Sequence, residues 1–203
     1  LADFWSQGII ILGGLTVKKR MTLLLLVLLL ALSVGLVQAA PQRIVSLAPS
    51  VTENLFALGV GDRVVGVTSW CDYPEEATTK TIIGDAMSLN LEVLLSLEPD
   101  LVVGDANLVA GYLETLAEFG IPVFVVAPTT LQEVQESLIS IGEAVGAEIE
   151  GWALATAMEN RLNGLLARIN RTETVRVFVE IWNEPLMSAG PGSFIDELIV
   201  LAG

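Results

Sequence analysis

Hydrophobic and polar positions after Arg43 alternate between short apolar runs and longer runs with helical spacing. The runs "RIVSLAP", "RVVGVTS", "DLVVGD" and "PVFVVAP" predict strands. The segments between and after them, "SVTENLFALG", "NLEVLLSLEPD", "GYLETLAEFG" and Thr130 to about Val145, predict helices. Strands that are apolar throughout and separated by helices predict a parallel sheet covered on both faces.

Three of these helices have recognisable starting residues. Ser50 and Glu53 stand in the S-x-x-E relation of a capping box, and so do Thr130 and Glu133. Asn90 is the predicted N-cap of a short helix that stops before a proline.

The pattern changes after Gly146. Residues 147–171 contain no proline and only two glycines, and large apolar residues recur there at three- and four-residue spacing. This predicts one amphipathic helix of about 25 residues, about 37 Å long, which is too long for a crossover in a small sheet. Trp152 is expected to pack on that helix.

A second α/β unit begins after the long helix. "VRVFVEIW" predicts a strand, "NEPLMSAGPG" a loop and "SFIDELIVLAG" a helix. We therefore interpret the chain as a fragment, with an α/β unit at 40–146, a connecting helix at 147–171 and the start of a further α/β unit at 172–203.

Residues 1–39 are predicted to be an upstream extension and a signal peptide. A basic cluster at 18–20 precedes an apolar run and the sequence Val37-Gln38-Ala39, which fits a cleavage site. The alternative is an uncleaved membrane anchor. Residues 1–16 lack an initiator methionine, and no cysteine follows the apolar run, which excludes lipid attachment there.

Charge and composition exclude several classes of function. Without residues 1–39 the net charge falls from −14 to −16, which argues against nucleic acid and anionic membranes as partners. The chain has no histidine, which excludes Cys-His and Ser-His catalysis, histidine-ligated haem and the usual zinc sites. The single Cys71 cannot form an internal disulfide, and Asp72 beside it disfavours a reactive thiolate. We expect Cys71 to be a small residue in the rim of a loop, and we predict no catalytic residue, no metal site and no cofactor.

Ligands of open parallel sheets bind outside the carboxyl ends of the strands. The loops predicted there, among them "APSVTE", "SWCDYP" and "NEPLMSAGPG", contain Ser50, Trp70, Tyr73 and Met187, and Trp182 directly precedes the last of them. Aromatic side chains with scattered hydroxyl groups suit a large, mostly uncharged ligand.

The motifs "RIVSLAPSVTENLFALGVGDRVVGVTSWCDYPEEA", "NLEVLLSLEPDLVVGD", "FGIPVFVV" and "VFVEIWNEPLMSAGPGSFIDELIVLAG" resemble, in this order, the periplasmic substrate-binding proteins of cobalamin and iron-siderophore ABC importers. The resemblance implies an α/β fold of two Rossmann-like parallel-sheet lobes joined by one long helix, with the second lobe incomplete here. It also implies an exported, periplasmic or extracytoplasmic protein that binds a metal chelate between the lobes as a monomer and delivers it to a membrane permease.

Site residues follow from the same resemblance. It implies that Ser50, Trp70 and Trp182 line the ligand site and that Glu92 docks onto arginines of the permease. Glu92 also suits the first turn of a helix without any docking role. Tyr73, in an Asp-Tyr-Pro turn, is expected to shape the loop and is a candidate ligand contact.

The identity of the ligand stays open between two chelates. The first unit offers only Arg43, Arg63 and Lys80 as cations, so we expect a corrinoid, with a ferric hydroxamate siderophore as the alternative. Ala86 and Met87 stand where cobalamin binders offer a further tryptophan, which weakens the corrinoid assignment. An exported enzyme and an adhesion or scaffold module are the other classes considered. No nucleophile elbow, P-loop or dinucleotide fingerprint supports the enzyme.

Overall fold

Five short strands form one parallel sheet in the part of the chain that the structure describes. The structure, a computed structural model, describes residues 39–85, 88–169 and 175–203. The strands of the main sheet are β1 (Ile44–Ser46), β2 (Val64–Val67), β3 (Thr81–Ile82), β4 (Leu101–Asp105) and β5 (Val123–Val126). They are all parallel and lie in the order β3–β2–β1–β4–β5. The predicted parallel α/β fold is confirmed, and the short β3 is a strand that the sequence pattern missed.

Helices cover both faces of this sheet. The helices are α1 (Pro49–Ala57), α2 (Leu91–Ser96), α3 (Ala106–Val109), α4 (Leu113–Glu118) and α5 (Leu131–Val145). Ile44 packs in one core cluster with residues of α1 and α5, whereas its neighbour Val45 packs in a second cluster with residues of α2 and α4. Successive residues of a strand point to opposite faces, so β1 must be apolar at adjacent positions.

Two of the predicted helix starts are confirmed. The Thr130 hydroxyl accepts a hydrogen bond from the amide of Glu133 at 3.1 Å and caps α5. The Asn90 side chain accepts one from the amide of Val93, also at 3.1 Å, and caps α2. Each cap satisfies an amide that has no partner within its own helix.

The predicted capping box at Ser50 is wrong. The N-cap of α1 is Ala48, whose side chain makes no capping bond, and Pro49 occupies the start of the helix. Proline suits this position because its missing N–H would have no intrahelical acceptor and its φ angle is already helical. Ser50 therefore lies inside the first turn of α1.

The long helix is shorter than predicted. Gly146, with a φ angle of 68°, ends α5 in the left-handed conformation, and α6 (Glu148–Leu166) follows it. The 19 residues of α6 span about 28 Å. The helix ends at Leu166 instead of residue 171, and residues 170–174 lie outside the described part of the chain.

Small residues make the contact between α5 and α6. Gly151 and Ala155 are the buried residues of α6. A Cβ atom added to Gly151 would lie 2.9 Å from the carbonyl oxygen of Leu138, so the two backbones touch there. Trp152 is 58% exposed, so the prediction that it packs is wrong, because the glycine face of α6 packs against α5 instead.

Residues 175–203 contain an antiparallel hairpin and a helix. β6 (Glu180–Asn183) pairs with β7 (Leu186–Ser188), and α7 (Phe194–Ala202) follows with Ser193 as its N-cap. The predicted strand over 175–182 is present only from Glu180 onward, and it pairs antiparallel with β7, which lies in the segment predicted as a loop, because two residues suffice to turn the chain into a local hairpin. A second parallel sheet stays a prediction. The helix is confirmed.

The predicted division at 40–146, 147–171 and 172–203 stays a prediction, and residues 40–203 form one unit in the structure. The signal-peptide prediction falls on residues 1–38, which lie outside the described residues together with Ala86 and Met87. Across the residues that are described, no helix combines the length and hydropathy needed to cross a membrane.

Candidate functional site

A small pocket opens at the carboxyl ends of β4 and β5, between α1 and α5. Its volume is about 270 Å³, and we call it the Ser50 pocket. Its lining includes Ser50, Asn54, Asp105, Val126, Pro128 and Ser137. Ser50 thus lies at the edge of the sheet where the sequence predicted a ligand, although it reaches this position as a helical residue and not as a cap.

A second depression lies at the carboxyl ends of β2 and β3. It measures about 570 Å³ and is lined by Ser69, Ile82, Gly84, Asp85, Ser88, Leu89 and Asn90, and we call it the Asp85 pocket. The sequence does not predict these residues at a site, because β3 is not among the predicted strands. The signal for β3 was the apolar pair in "TIIGD", followed by a glycine and an acid.

In the loop that follows β2, Cys71 is buried in the core and its neighbour Trp70 is exposed. Cys71 is only 3% exposed, belongs to the core on the α1 and α5 side of the sheet, and has its Sγ atom 3.2 Å from the hydroxyl of Thr68. Trp70, the residue before it, is 65% exposed. Cys71 is therefore a core residue and not a rim residue, and its burial leaves the Trp70 side chain on the surface near the edge of the sheet.

Tyr73 lies in a different place from Ser50. It lines a cleft of about 630 Å³ on the other side of α1, which we call the Tyr73 cleft, together with Phe56, Pro74 and Lys80. Glu53 of α1 lines both this cleft and the Ser50 pocket. The sequence pattern indicates Glu53 only as a capping residue, and it gives no signal for a place at a site.

Glu92 and Trp182 are both exposed, on different elements. Glu92 lies in the first turn of α2, just after the cap Asn90. Trp182 lies on β6, where its indole Nε1 donates a hydrogen bond to the carbonyl oxygen of Glu184 at 2.9 Å. Met187 lies opposite Trp182 on β7. The docking role of Glu92 and the ligand roles of Ser50, Trp70, Tyr73 and Trp182 stay predictions.

The three cations of residues 40–146 all lie at the opposite edge of the sheet. Arg43, Arg63 and Lys80 come directly before β1, β2 and β3. Arg43 Nε donates to the carbonyl of Leu97 at 2.7 Å, and Lys80 Nζ donates to the carbonyl of Gly61 at 2.9 Å. Arg63 likewise donates to the carbonyl oxygens of residues 41 and 145. The amino ends of parallel strands share one edge, so these charges face away from the carboxyl edge.

Acidic side chains occupy the carboxyl edge instead. Asp105 ends β4 in the Ser50 pocket, and Asp85 follows β3 in the Asp85 pocket. At the nearby start of α5, hydrogen bonds from the hydroxyl and then the amide of Thr129 hold the pKa of Glu133 below its ordinary value. Within residues 39–85, 88–169 and 175–203, no group of three or more His, Cys, Asp or Glu side chains could hold a metal ion. The edge therefore suits a neutral or cationic ligand better than an anionic one.

Known proteins resemble the chain over most of its length. The family described as periplasmic binding protein matches residues 44–203. The "Vitamin B12-binding protein" of Vibrio parahaemolyticus is 29% identical over 163 residues, covering 80% of this chain and 59% of that protein. The "Uncharacterized ABC transporter substrate-binding lipoprotein YvrC" of Bacillus subtilis is 36% identical over 171 residues, covering 80% and 54%.

A solved structure agrees with these sequence relatives. The periplasmic heme-binding protein RhuT from Roseiflexus superposes with a TM-score of 0.68 at 32% identity, covering 80% of this chain and 64% of that one. The chain thus spans between about half and two thirds of the length of these proteins.

Proposed function

Since the chain belongs to the periplasmic binding protein family, we propose that it is the solute-binding component of an ABC importer and that its preferred ligand is a corrinoid such as cobalamin. The protein would act outside the cytoplasm, capture the ligand by binding alone and deliver it to a membrane permease. It would work as a monomer, without a catalytic step and without a cofactor of its own.

The distribution of charge around the sheet carries this proposal. The carboxyl edge presents Asp85 and Asp105, whereas Arg43, Arg63 and Lys80 are bonded at the amino edge. A strongly anionic ferric catecholate would meet like charge there, which is unfavourable in a partly desolvated pocket. A corrinoid presents a broad ring and neutral amide groups, which suit exposed aromatic and hydroxyl side chains.

Ligand contacts are proposed for four residues. Trp70 offers an exposed indole face to the ring, and Ser50 offers a hydroxyl in the Ser50 pocket. Trp182 would contribute from β6. Tyr73 would contribute from the far side of α1, in the cleft that it shares with Lys80 of the amino edge. The B12-binding protein of Vibrio parahaemolyticus supports the choice of ligand.

Glu92 is the proposed contact with the permease. Its carboxylate is exposed on a short helix whose start is fixed by Asn90, so it is held at the surface for an arginine of the partner. The substrate-binding lipoprotein of Bacillus subtilis supports an ABC importer as the partner.

An iron chelate is the second candidate. The Roseiflexus relative is a heme-binding protein, and ferric hydroxamates carry little charge. Iron of a haem needs an axial ligand, and this chain has no histidine. Tyr73, whose side chain is exposed in the cleft beside α1, could supply a phenolate oxygen in its place.

A titration distinguishes these ligands. The chain is titrated with cyanocobalamin, a ferric hydroxamate and haemin in separate experiments, following tryptophan fluorescence, with free N-acetyltryptophanamide as the correction for light absorbed by the ligand. Equilibrium dialysis gives the stoichiometry. We expect saturable quenching by cyanocobalamin that is largely lost in Trp70→Ala.

The matched control is Trp152→Ala, because Trp152 is 58% exposed and Trp70 is 65% exposed. Trp152 lies on α6, outside the proposed site, so its removal should leave the affinity unchanged. A response to the hydroxamate or haemin alone would transfer the assignment to iron uptake. Equal loss of affinity in both variants, or no response to any of the three, would contradict the proposed site.

A further inference from the structure

One hydrogen bond joins the start of α5 to α7 across 66 residues. The backbone amide of Leu131 donates to Oε2 of Glu197 at 3.0 Å. Leu131 is the first residue of α5, and the first amides of a helix have no acceptor within the helix. Glu197 therefore provides an acceptor that the helix itself cannot.

The neighbouring amides at this helix start find their acceptors locally. The amide of Glu133 donates to the Thr130 hydroxyl at 3.1 Å, and the Glu133 carboxylate accepts from the amide and hydroxyl of Thr129, both at 2.6 Å. Of these bonds at the start of α5, the one from Leu131 leads to another part of the chain. It is a charge-assisted bond at the positive end of a helix dipole, which is stronger than a bond between neutral groups.

Two adjacent acids in the first turn of α7 serve different helices. Asp196 accepts a hydrogen bond from the amide of Gly192 at 2.9 Å, and its own amide donates to the Ser193 hydroxyl at 3.2 Å, so it stabilises the start of α7. Glu197, the next residue, bonds to α5. This division makes Asp196 a matched control for Glu197.

The bond lies beside the Ser50 pocket. Pro128, three residues before Leu131, lines that pocket, and so do Val134 and Ser137 of α5. On the other side, α7 follows the hairpin that contains Trp182. This hydrogen bond between Leu131 of α5 and Glu197 of α7, which we call the tie, therefore connects one wall of the pocket to the segment that bears a proposed ligand contact.

We propose that Glu197 is a positioning residue of the ligand site, which holds α7 and the β6–β7 hairpin against the first turn of α5. The role in ligand binding rests on the proposed function, whereas the tie itself does not. Glu197 would act through Leu131 and need not touch the ligand.

Amide exchange tests the tie without any ligand. Hydrogen exchange at Leu131 is measured by NMR in the chain and in Glu197→Ala, Glu197→Gln and Asp196→Asn, with Val134, whose amide donates to the Thr130 carbonyl, as reference. We expect exchange at Leu131 to accelerate about tenfold or more in Glu197→Ala and by less in Glu197→Gln, whose amide oxygen still accepts. Asp196→Asn should leave it unchanged. Unchanged exchange in Glu197→Ala, or equal acceleration in Asp196→Asn, would overturn the proposal.

A distance measurement tests the positioning. Spin labels are attached to Glu136→Cys on α5 and Val200→Cys on α7, both exposed positions. We expect a single narrow distance that broadens in Glu197→Ala and persists in Asp196→Asn. An unchanged distribution in Glu197→Ala would show that other contacts hold α7, and the positioning role would fail.

The affinity for cyanocobalamin tests whether Glu197 influences ligand binding. It should fall at least severalfold in Glu197→Ala and stay unchanged in Asp196→Asn. Faster exchange with unaltered affinity would overturn the role in binding. Absence of cobalamin binding by the unmodified chain would contradict the proposed ligand alone, because the exchange and distance measurements judge the tie independently.

Discussion

Residues 40–146 and residues 175–203 are both rich in apolar side chains, yet they differ in burial. Every residue of β1 is buried, and so are four of the five residues of β4. All residues of β6 and β7 are exposed, and no residue of α7 is buried. Large exposed side chains of this segment include Val175, Val177, Phe178, Ile181, Trp182, Leu186, Met187 and Val200. An apolar run thus indicates a strand or helix, but burial requires a second surface to pack against.

The largest effect is expected when a leucine is replaced by alanine in each of the two regions and the losses of stability are compared. Leu55 of α1 is 0% exposed and Leu186 of β7 is 64% exposed. Leu55→Ala should lower the free energy of unfolding by about 2–5 kcal/mol because it leaves a cavity. Leu186→Ala should change it by about 0.5 kcal/mol or less. Urea unfolding followed by circular dichroism measures both, and a similar loss in the two variants would mean that the hairpin is packed in solution.

A smaller effect is expected where α6 packs on α5. Gly151→Ala forces a Cβ atom to within 2.9 Å of a backbone carbonyl oxygen and should cost about 1–3 kcal/mol of unfolding free energy. Gly164→Ala, in the same helix, meets nothing within 4 Å. It should stabilise the protein by up to about 1 kcal/mol, because alanine is the better helix former. Thermal unfolding of the two variants tests this, and stabilisation by Gly151→Ala would contradict the close approach of the backbones.

The smallest effect is expected when Glu133, near the start of α5, is protonated at low pH. The pKa of Glu133 is lowered by its bonds to Thr129, so its carboxylate stabilises the fold above the ordinary pKa of 4.5 and loses this contribution as the pH falls through the folded value. Glu133→Gln should therefore be less stable at neutral pH and show a flatter decline below pH 4.5. Urea midpoints between pH 3 and pH 7 check this, with Glu136→Gln, one turn further along, as control. If the urea midpoint of Glu133→Gln fell with decreasing pH as steeply as that of the unmodified chain, Glu133 would not be a group that loses stabilising charge in acid.

The sheet was predictable because burial on both faces leaves a direct trace in the sequence. β1 and β4 must be apolar at consecutive positions, so runs such as "RIVSLAP" and "DLVVGD" identify them. Local hydrogen bonding likewise identified Thr130 and Asn90 as caps. At Ser50 the same rule failed, because Pro49 already begins the helix one residue earlier.

Features that depend on distant partners were less predictable. The periodic large residues of α6 suggested a buried stripe, but Gly151 packs and Trp152 is exposed, since close backbone contact favours small side chains. Ser50 lies at the carboxyl edge of the sheet, as the order of strands and loops predicted, and its role in binding stays a prediction. The separation of Tyr73 from Ser50 by α1 depends on three-dimensional packing that no local pattern records.

The burial of Cys71 has a chemical consequence for the proposed location outside the cytoplasm, where conditions are oxidising. A lone thiol on the surface would be exposed to oxidants and could cross-link two molecules through a disulfide. Cys71 is 3% exposed beside the Thr68 hydroxyl, so oxidants and alkylating reagents reach it only when the core opens. The rate at which this thiol reacts with a maleimide therefore reports the opening of the core cluster that contains Cys71, and it does so without any engineered label.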